Sequence, residues 1–166
     1  RKGICVAGNM IVDILYPIGL WPKEGQLVAI SGEIGRSTGG AVCNVIADLA
    51  RLDPELPLTA LGVVGADAEG DFILEKLGAY KNISLANVVQ EGTSSFTMVM
   101  SNESNKQRTF FYNPGTSARF DESYIDWDKL DAGLLHIGYI LLLDKLDEAD
   151  AEFGTRMARL LHNAQA

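Results

Sequence analysis

With 166 residues, 47% of them hydrophobic, the chain can bury a core of single-domain size and is too apolar to be a disordered tail. Its 22 Asp and Glu against 14 Lys and Arg leave a formal net charge of −8, which sets a phosphate-rich nucleic acid aside as a partner. No apolar run approaches the roughly 20 residues that a membrane helix needs, so the chain reads as soluble with no membrane partner.

Arg1-Lys2-Gly3 carries no cleavage-site signature, and Ile4-Cys5-Val6-Ala7, stopping at Gly8-Asn9, has the pattern of a strand buried on both faces. Asp13 follows in what reads as a connection. Flanked by Val12 and Ile14, it is either a solvated loop carboxylate or an acceptor for two vicinal hydroxyls. Leu27, Val28, Ile30 and Ile34 predict a strand over 26–34. Thr38-Gly39-Gly40-Ala41-Val42-Cys43-Asn44 opens a helix. The two glycines admit unusual backbone angles and close approach of a ligand, the free amides can donate to hydroxyls or anions, and Asn44 adds an amide one turn in; a tight turn with a polar helix face accounts for the motif equally well. The spacing of Val42, Ile46, Leu49 and Ala50 continues the helix to Asp53-Pro54.

Residues 58–64 read as a strand, and Gly65, Asp67 and Gly70 as a turn with a helix cap before Phe72, Ile73 and Leu77. Residues 95–100 and 108–112 flank the polar turn Asn102-Glu103-Ser104-Asn105-Lys106 as a hairpin does. Residues 134–140 form another buried strand. Asp144, Asp147, Glu148, Asp150 and Glu152 are solvated helix-start acids and not a metal site. Phe153, Met157, Leu160 and Leu161 then mark an amphipathic helix, while His136 and His162 have no carboxylate or serine placed for a triad. Cys5 and Cys43 read as buried thiols of a reducing compartment, which makes the cytoplasm the expected location. Alternating strands and helices give an α/β class, with a small antiparallel sheet inserted that could act as a lid over the carboxyl ends of the strands. The strands are few for a sheet covered on both faces, and more sheet is expected downstream.

Taken in order, these pieces resemble the amino-terminal half of the PfkB, or ribokinase-like, carbohydrate kinases. The likeness rests on Gly8 with Asp13 beyond it, on Gly39-Gly40 with Asn44, and on Val64-Gly65-Ala66-Asp67-Ala68-Glu69-Gly70. It continues through Arg108-Thr109-Phe110-Phe111-Tyr112 leading to Gly115, and His136-Ile137-Gly138-Tyr139. The pattern departs at Val42 and Ile46, where the family prefers small residues, and at Asp53-Pro54. The resemblance implies a partial three-layer fold with a β-sheet lid, its segments at about 16–36 and 94–115. It also implies substrate binding by Asp13, Gly39, Gly40, Asn44 and Asn9, with the lid residues Phe96, Met98, Arg108, Phe110 and Tyr112 closing over the acceptor and excluding water.

The family's Gly-Ala-Gly-Asp segment, with its catalytic base and most of the ATP site, has no match in residues 1–166, so the chain alone is expected to be inactive. The resemblance implies that the complete protein is an ATP- and Mg²⁺-dependent kinase of a small sugar, and the apolar strand edges of the lid predict a homodimer through it. A nucleoside kinase of the same family and a non-catalytic sugar-binding protein are the rival readings.

Overall fold

The computed structural model describes residues 3–165. The chain runs β1 (Ile4–Gly8), β2 (Ile11–Ile18), β3 (Gly35–Gly39), α1 (Gly40–Leu52), β4 (Leu58–Val64), α2 (Ala68–Gly78), β5 (Ile83–Gln90), β6 (Ser95–Asn102), β7 (Arg108–Asn113) and β8 (Leu134–Gly138). It ends with a single turn α3 (Asp144–Asp147), a small hairpin of β9 (Ala149–Asp150) and β10 (Gly154–Thr155), and α4 (Arg156–Gln165).

The central sheet is all parallel, in the order β5-β4-β1-β8. Strand alternation divides its side chains between two cores. Val6 of β1 and Leu58, Ala60 and Val64 of β4 meet Val42, Cys43 and Ile46 of α1 and Ile73 and Leu77 of α2 on one face. Cys5, Ala7, Leu61 and Val63 point the other way, onto Phe120, Ile125, Leu143, Leu146 and the Met157 and Leu160 of α4. The result is three layers. Among the described residues no helix is long and apolar enough to cross a membrane.

A second sheet, β3-β2-β6-β7, stands apart from the first. Its inner pair, β2 and β6, is parallel, and antiparallel β3 and β7 flank it. This is the second sheet expected from the sequence, built differently at one edge. Residues 26–34 make only an isolated bridge, Ile18 to Ile30, and Leu27 is 98% exposed. The ladder with β2 is taken instead by Gly35–Gly39, and its register is set from the Gly39 end, where the chain enters α1. Pro17 has no N–H to donate, so pairing beyond Leu15 and Gly35 has little to hold it.

Three further differences have local causes. Asp13 lies within β2, because Asn9 and Met10 alone carry the chain from one sheet to the other. Strand β5 escapes the sequence pattern because Ser84, Ala86 and Asn87 dilute its apolar residues; it forms one edge of the central sheet and its pairing with β4 is irregular between Thr59 and Leu61. The last helix starts at Arg156, so Phe153 packs on His162 from outside it, and Leu161 is 39% exposed while Met157 and Leu160 are buried.

The turn before α2 ties the two sheets together. Asp67 Oδ1 accepts the Gly70 amide at 2.9 Å and the Ser94 hydroxyl at 2.6 Å, and Oδ2 accepts the Ser94 amide at 2.8 Å. Burial alone would raise the Asp67 pKa, but these hydrogen bonds overcome it and hold the carboxyl below its ordinary range. A depressed folded pKa stabilises the fold fully above the unfolded value of about 3.9, and the contribution fades as pH falls through the folded value. Asp67→Ala loses a cap worth about 1 kcal/mol and leaves Ser94 donors without their acceptor, for a total of about 2–3 kcal/mol. Thermal melts at pH 7 should show this loss, and the difference between wild type and Asp67→Asn should narrow below about pH 4.

Candidate functional site

The site is assembled where β1 ends and α1 begins. A helix leaves its first amides without partners in its own ladder. Here Asn9 supplies two: its Oδ1 accepts the Ala41 amide at 2.8 Å and its carbonyl accepts the Val42 amide at 3.2 Å. The Asn9 amide in turn donates to the Gly138 carbonyl at 3.1 Å, which links β1, β8 and α1 at one point. Asn9 is fully buried, and its Nδ2 has no hydrogen-bond partner among the described residues.

The Gly39-Gly40 pair lets these backbones meet. Gly40 has φ +83°, and a Cβ there would stand 2.6 Å from the Asn9 carbonyl oxygen. A Cβ on Gly39 would fall on the Asp13 carboxylate. The Asp13 side chain therefore lies against bare main chain at the start of α1, where the helix dipole favours an anion.

Register places the rest. Asp13 of β2 pairs with Ser37 of β3 and Thr97 of β6, and Thr97 pairs with Tyr112 of β7. Residues directly opposite share a face, so Ser37, Asp13, Thr97 and Tyr112 form one row across the lid sheet. Burial of the half-covered Asp13 carboxyl raises its pKa, and the neighbouring Thr97 hydroxyl opposes the rise without cancelling it. The Cys43 thiol, in the first turns of α1, is pushed up to about 12 by burial, with the Asp13 charge adding to the rise. Burial also raises the Tyr112 hydroxyl, against a hydrogen bond from Ser117.

Of the residues singled out from the sequence, Asp13, Gly39, Gly40 and Asn9 are brought together, and Asn44 lies exposed one turn further along α1. The lid residues are divided. By strand alternation Arg108, Phe110 and Tyr112 share the Asp13 face, whereas Phe96 and Met98 point to the opposite one. Phe96 packs there against the core under α1 and α2. Thr97 is not among the residues singled out from the sequence, yet Ser95-Phe96-Thr97-Met98 alternates polar with apolar, which assigns Thr97 to the polar face.

The model of the pfkB family carbohydrate kinases matches residues 1–165. The chain belongs to this family. Among curated proteins no match is found. A fructokinase from Xylella fastidiosa is similar in structure at 20% identity and a TM-score of 0.70, covering 99% of this chain and 49% of its own. A Thermotoga maritima ribokinase shows 19% identity and a TM-score of 0.68 over 78% of this chain and 42% of its own. An Arabidopsis thaliana ribokinase, solved with ribose and ATP, shows 27% identity and a TM-score of 0.62 over 70% of this chain and 37% of its own. The chain thus spans less than half the length of these proteins. Their likeness confirms the partial ribokinase-like α/β fold.

Three acids of the cluster between Asp144 and Glu152 are engaged locally. Asp147 accepts the Leu141 and Leu143 amides, Glu148 pairs with Lys145 and Arg156, and Asp150 pairs with Arg159. Among the described residues no group of three or more His, Cys, Asp or Glu could hold a metal ion.

The raised pKa of Asp13 means that its charge costs stability above the unfolded value of about 3.9. Asp13→Asn should therefore melt no lower than wild type at pH 7, and any gain should vanish as pH falls below about 4. A clearly lower melt at pH 7 would assign Asp13 to the fold.

Proposed function

We propose that the complete protein transfers the γ-phosphoryl group of ATP, with Mg²⁺, to a hydroxyl of a small sugar, and that this chain supplies the acceptor site and lid. The observation that carries the reading is the Asp13 carboxylate. It lies half-buried against the glycine start of α1, in a polar row across the lid sheet, where its oxygens can accept from vicinal hydroxyls. Gly39 and Gly40 allow a ligand to approach the main chain. Asn9 serves as a positioning residue, since its fully buried side chain holds the helix start. Tyr112, Phe110 and Arg108, on the same face, would cover the acceptor and keep water from it.

Those exposed aromatic rings could equally stack on a base, which favours a nucleoside as the second reading. In this reading the catalytic base, ATP and Mg²⁺ belong to the remainder of the complete protein. Strand β8 offers a place for it: among the described residues β8 pairs only with β1, and Leu134, Tyr139, Ile140 and Leu141 beside that edge are exposed. The free, buried thiols of Cys5 and Cys43 support a cytoplasmic location.

Calorimetric titration of a panel of sugars and nucleosides tests the acceptor site. One sugar should bind in preference to nucleosides, and Asp13→Ala should weaken it at least about tenfold, since charge-assisted hydrogen bonds are each worth about 1.5–3 kcal/mol. The same material with ATP and Mg²⁺ should show no turnover above background. Unchanged affinity in the variant removes Asp13 from the site.

The lid also supports self-association. Phe110, Phe111 and Trp21 are 61%, 46% and 46% exposed, with Trp21 stacked on Phe111 over an apolar cleft of about 390 Å³. Light scattering at high micromolar concentration should give a dimer mass that Phe111→Glu reduces to monomer; a monomeric wild type would count against the lid interface.

A further inference from the structure

On a chain with a net charge of −8, three cations gather around one cleft on the flank of the lid. Arg36 comes from β3, Arg51 from the last turn of α1 and Lys76 from the last turn of α2, and with Phe72, Tyr80 and Thr38 they line a cavity of about 250 Å³. The aromatic rings carry the cations: Arg36 lies 4.3 Å and Lys76 5.3 Å from the centre of Phe72, and Arg51 5.6 Å from that of Tyr80. Two like charges beside one ring repel each other, and an anion between them offsets that repulsion.

Each cation has one acidic neighbour, and all three acids stand outside the cleft. Glu69 meets Arg36 at 3.3 Å, Asp48 meets Arg51 at 3.4 Å and Glu75 meets Lys76 at 3.6 Å. Such exposed pairs contribute little and leave the cations free to take another partner. Among the described residues the Arg36 guanidinium uses only Nη2, which donates to the Ala68 carbonyl at 2.9 Å and to Glu69. The remaining donors of its fork suit a compact, multiply charged oxyanion. The cavity is smaller than the roughly 300–1,000 Å³ of sites for drug-sized ligands, which restricts the occupant to a small molecule.

We propose that this cleft binds a phosphate group, free or as the phosphomonoester of a small metabolite, and that its occupancy ties lid strand β3 to helices α1 and α2. The consequence reaches the Asp13 site through the backbone. Ser37 pairs with Asp13, Thr38 with Val12 and Arg36 with Ile14, so an anion held by Arg36 steadies the strand against which Asp13 is registered. This inference does not depend on the acceptor being a sugar.

The test uses the purified chain, with inorganic phosphate and glycerol phosphate as probes and chloride at matched ionic strength as the control. Titration should shift the backbone amide resonances of Ser37, Thr38, Ala47 and Phe72 saturably, and should raise the melting temperature beyond the chloride control. Arg51 and Lys76 have side chains 65% and 53% exposed, so Arg51→Gln/Lys76→Gln should remain folded while weakening the anion at least tenfold. A response to glycerol phosphate alone identifies an organic phosphomonoester; a response to both identifies the phosphate group itself. Asp13→Ala should leave this binding unchanged, which separates it from the acceptor site. Equal shifts in chloride, or unchanged affinity in the double variant, would overturn the proposal.

Discussion

The grip of Asn9 on the first turn of α1 is the constraint from which the rest of the site follows. Its side-chain and main-chain oxygens take the amides of Ala41 and Val42, and its own amide is held by Gly138. A buried amide left unmade costs about 1–3 kcal/mol, so the strand end, the neighbouring strand and the helix start cannot separate cheaply. With that point held, Met10 alone remains before β2, and the chain must leave the central sheet at once for the lid. Asp13, four residues beyond Asn9, is thereby delivered to the glycine start of α1.

The lid sheet serves two environments with its two faces. One face sets Phe96 against the core beneath α1 and α2; the other carries the row from Ser37 through Asp13 and Thr97 to Tyr112. A sheet one strand deep can do both because side chains alternate, and a slip of one residue in β6 would exchange them. The Asp67–Ser94 hydrogen bonds resist such a slip, since Ser94 immediately precedes β6 and is tied to the turn before α2.

Asp13 and Asp67 show opposite uses of a carboxylate. Hydrogen bonds from Ser94 and Gly70 overcome burial at Asp67, and its charge stabilises the fold. At Asp13 burial prevails over the single hydroxyl of Thr97, and the charge is held at a cost. Natural chains keep such costs where a group is needed for binding, which supports the proposal that Asp13, and not the better-satisfied Asp67, faces a ligand.

The sequence alone determined the α/β class, the family, the helix opening at Gly39-Gly40 and the existence of the strands at 4–8 and 58–64, because these rest on apolar periodicity and on glycines that only certain backbones require. It also marked Asp13, Asn9 and the lid hairpin. It did not determine which segment completes the lid. The apolar residues of 26–34 outscore the polar Gly35–Gly39 as a strand, yet connection to α1 fixes the latter on β2. Nor could composition separate Phe96 and Met98 from Tyr112, reveal that the Asn9 side chain is consumed in holding a helix, or gather Arg36, Arg51 and Lys76 from three elements into one cleft. Those outcomes depend on register and on contacts between residues distant in the chain, which no local pattern encodes.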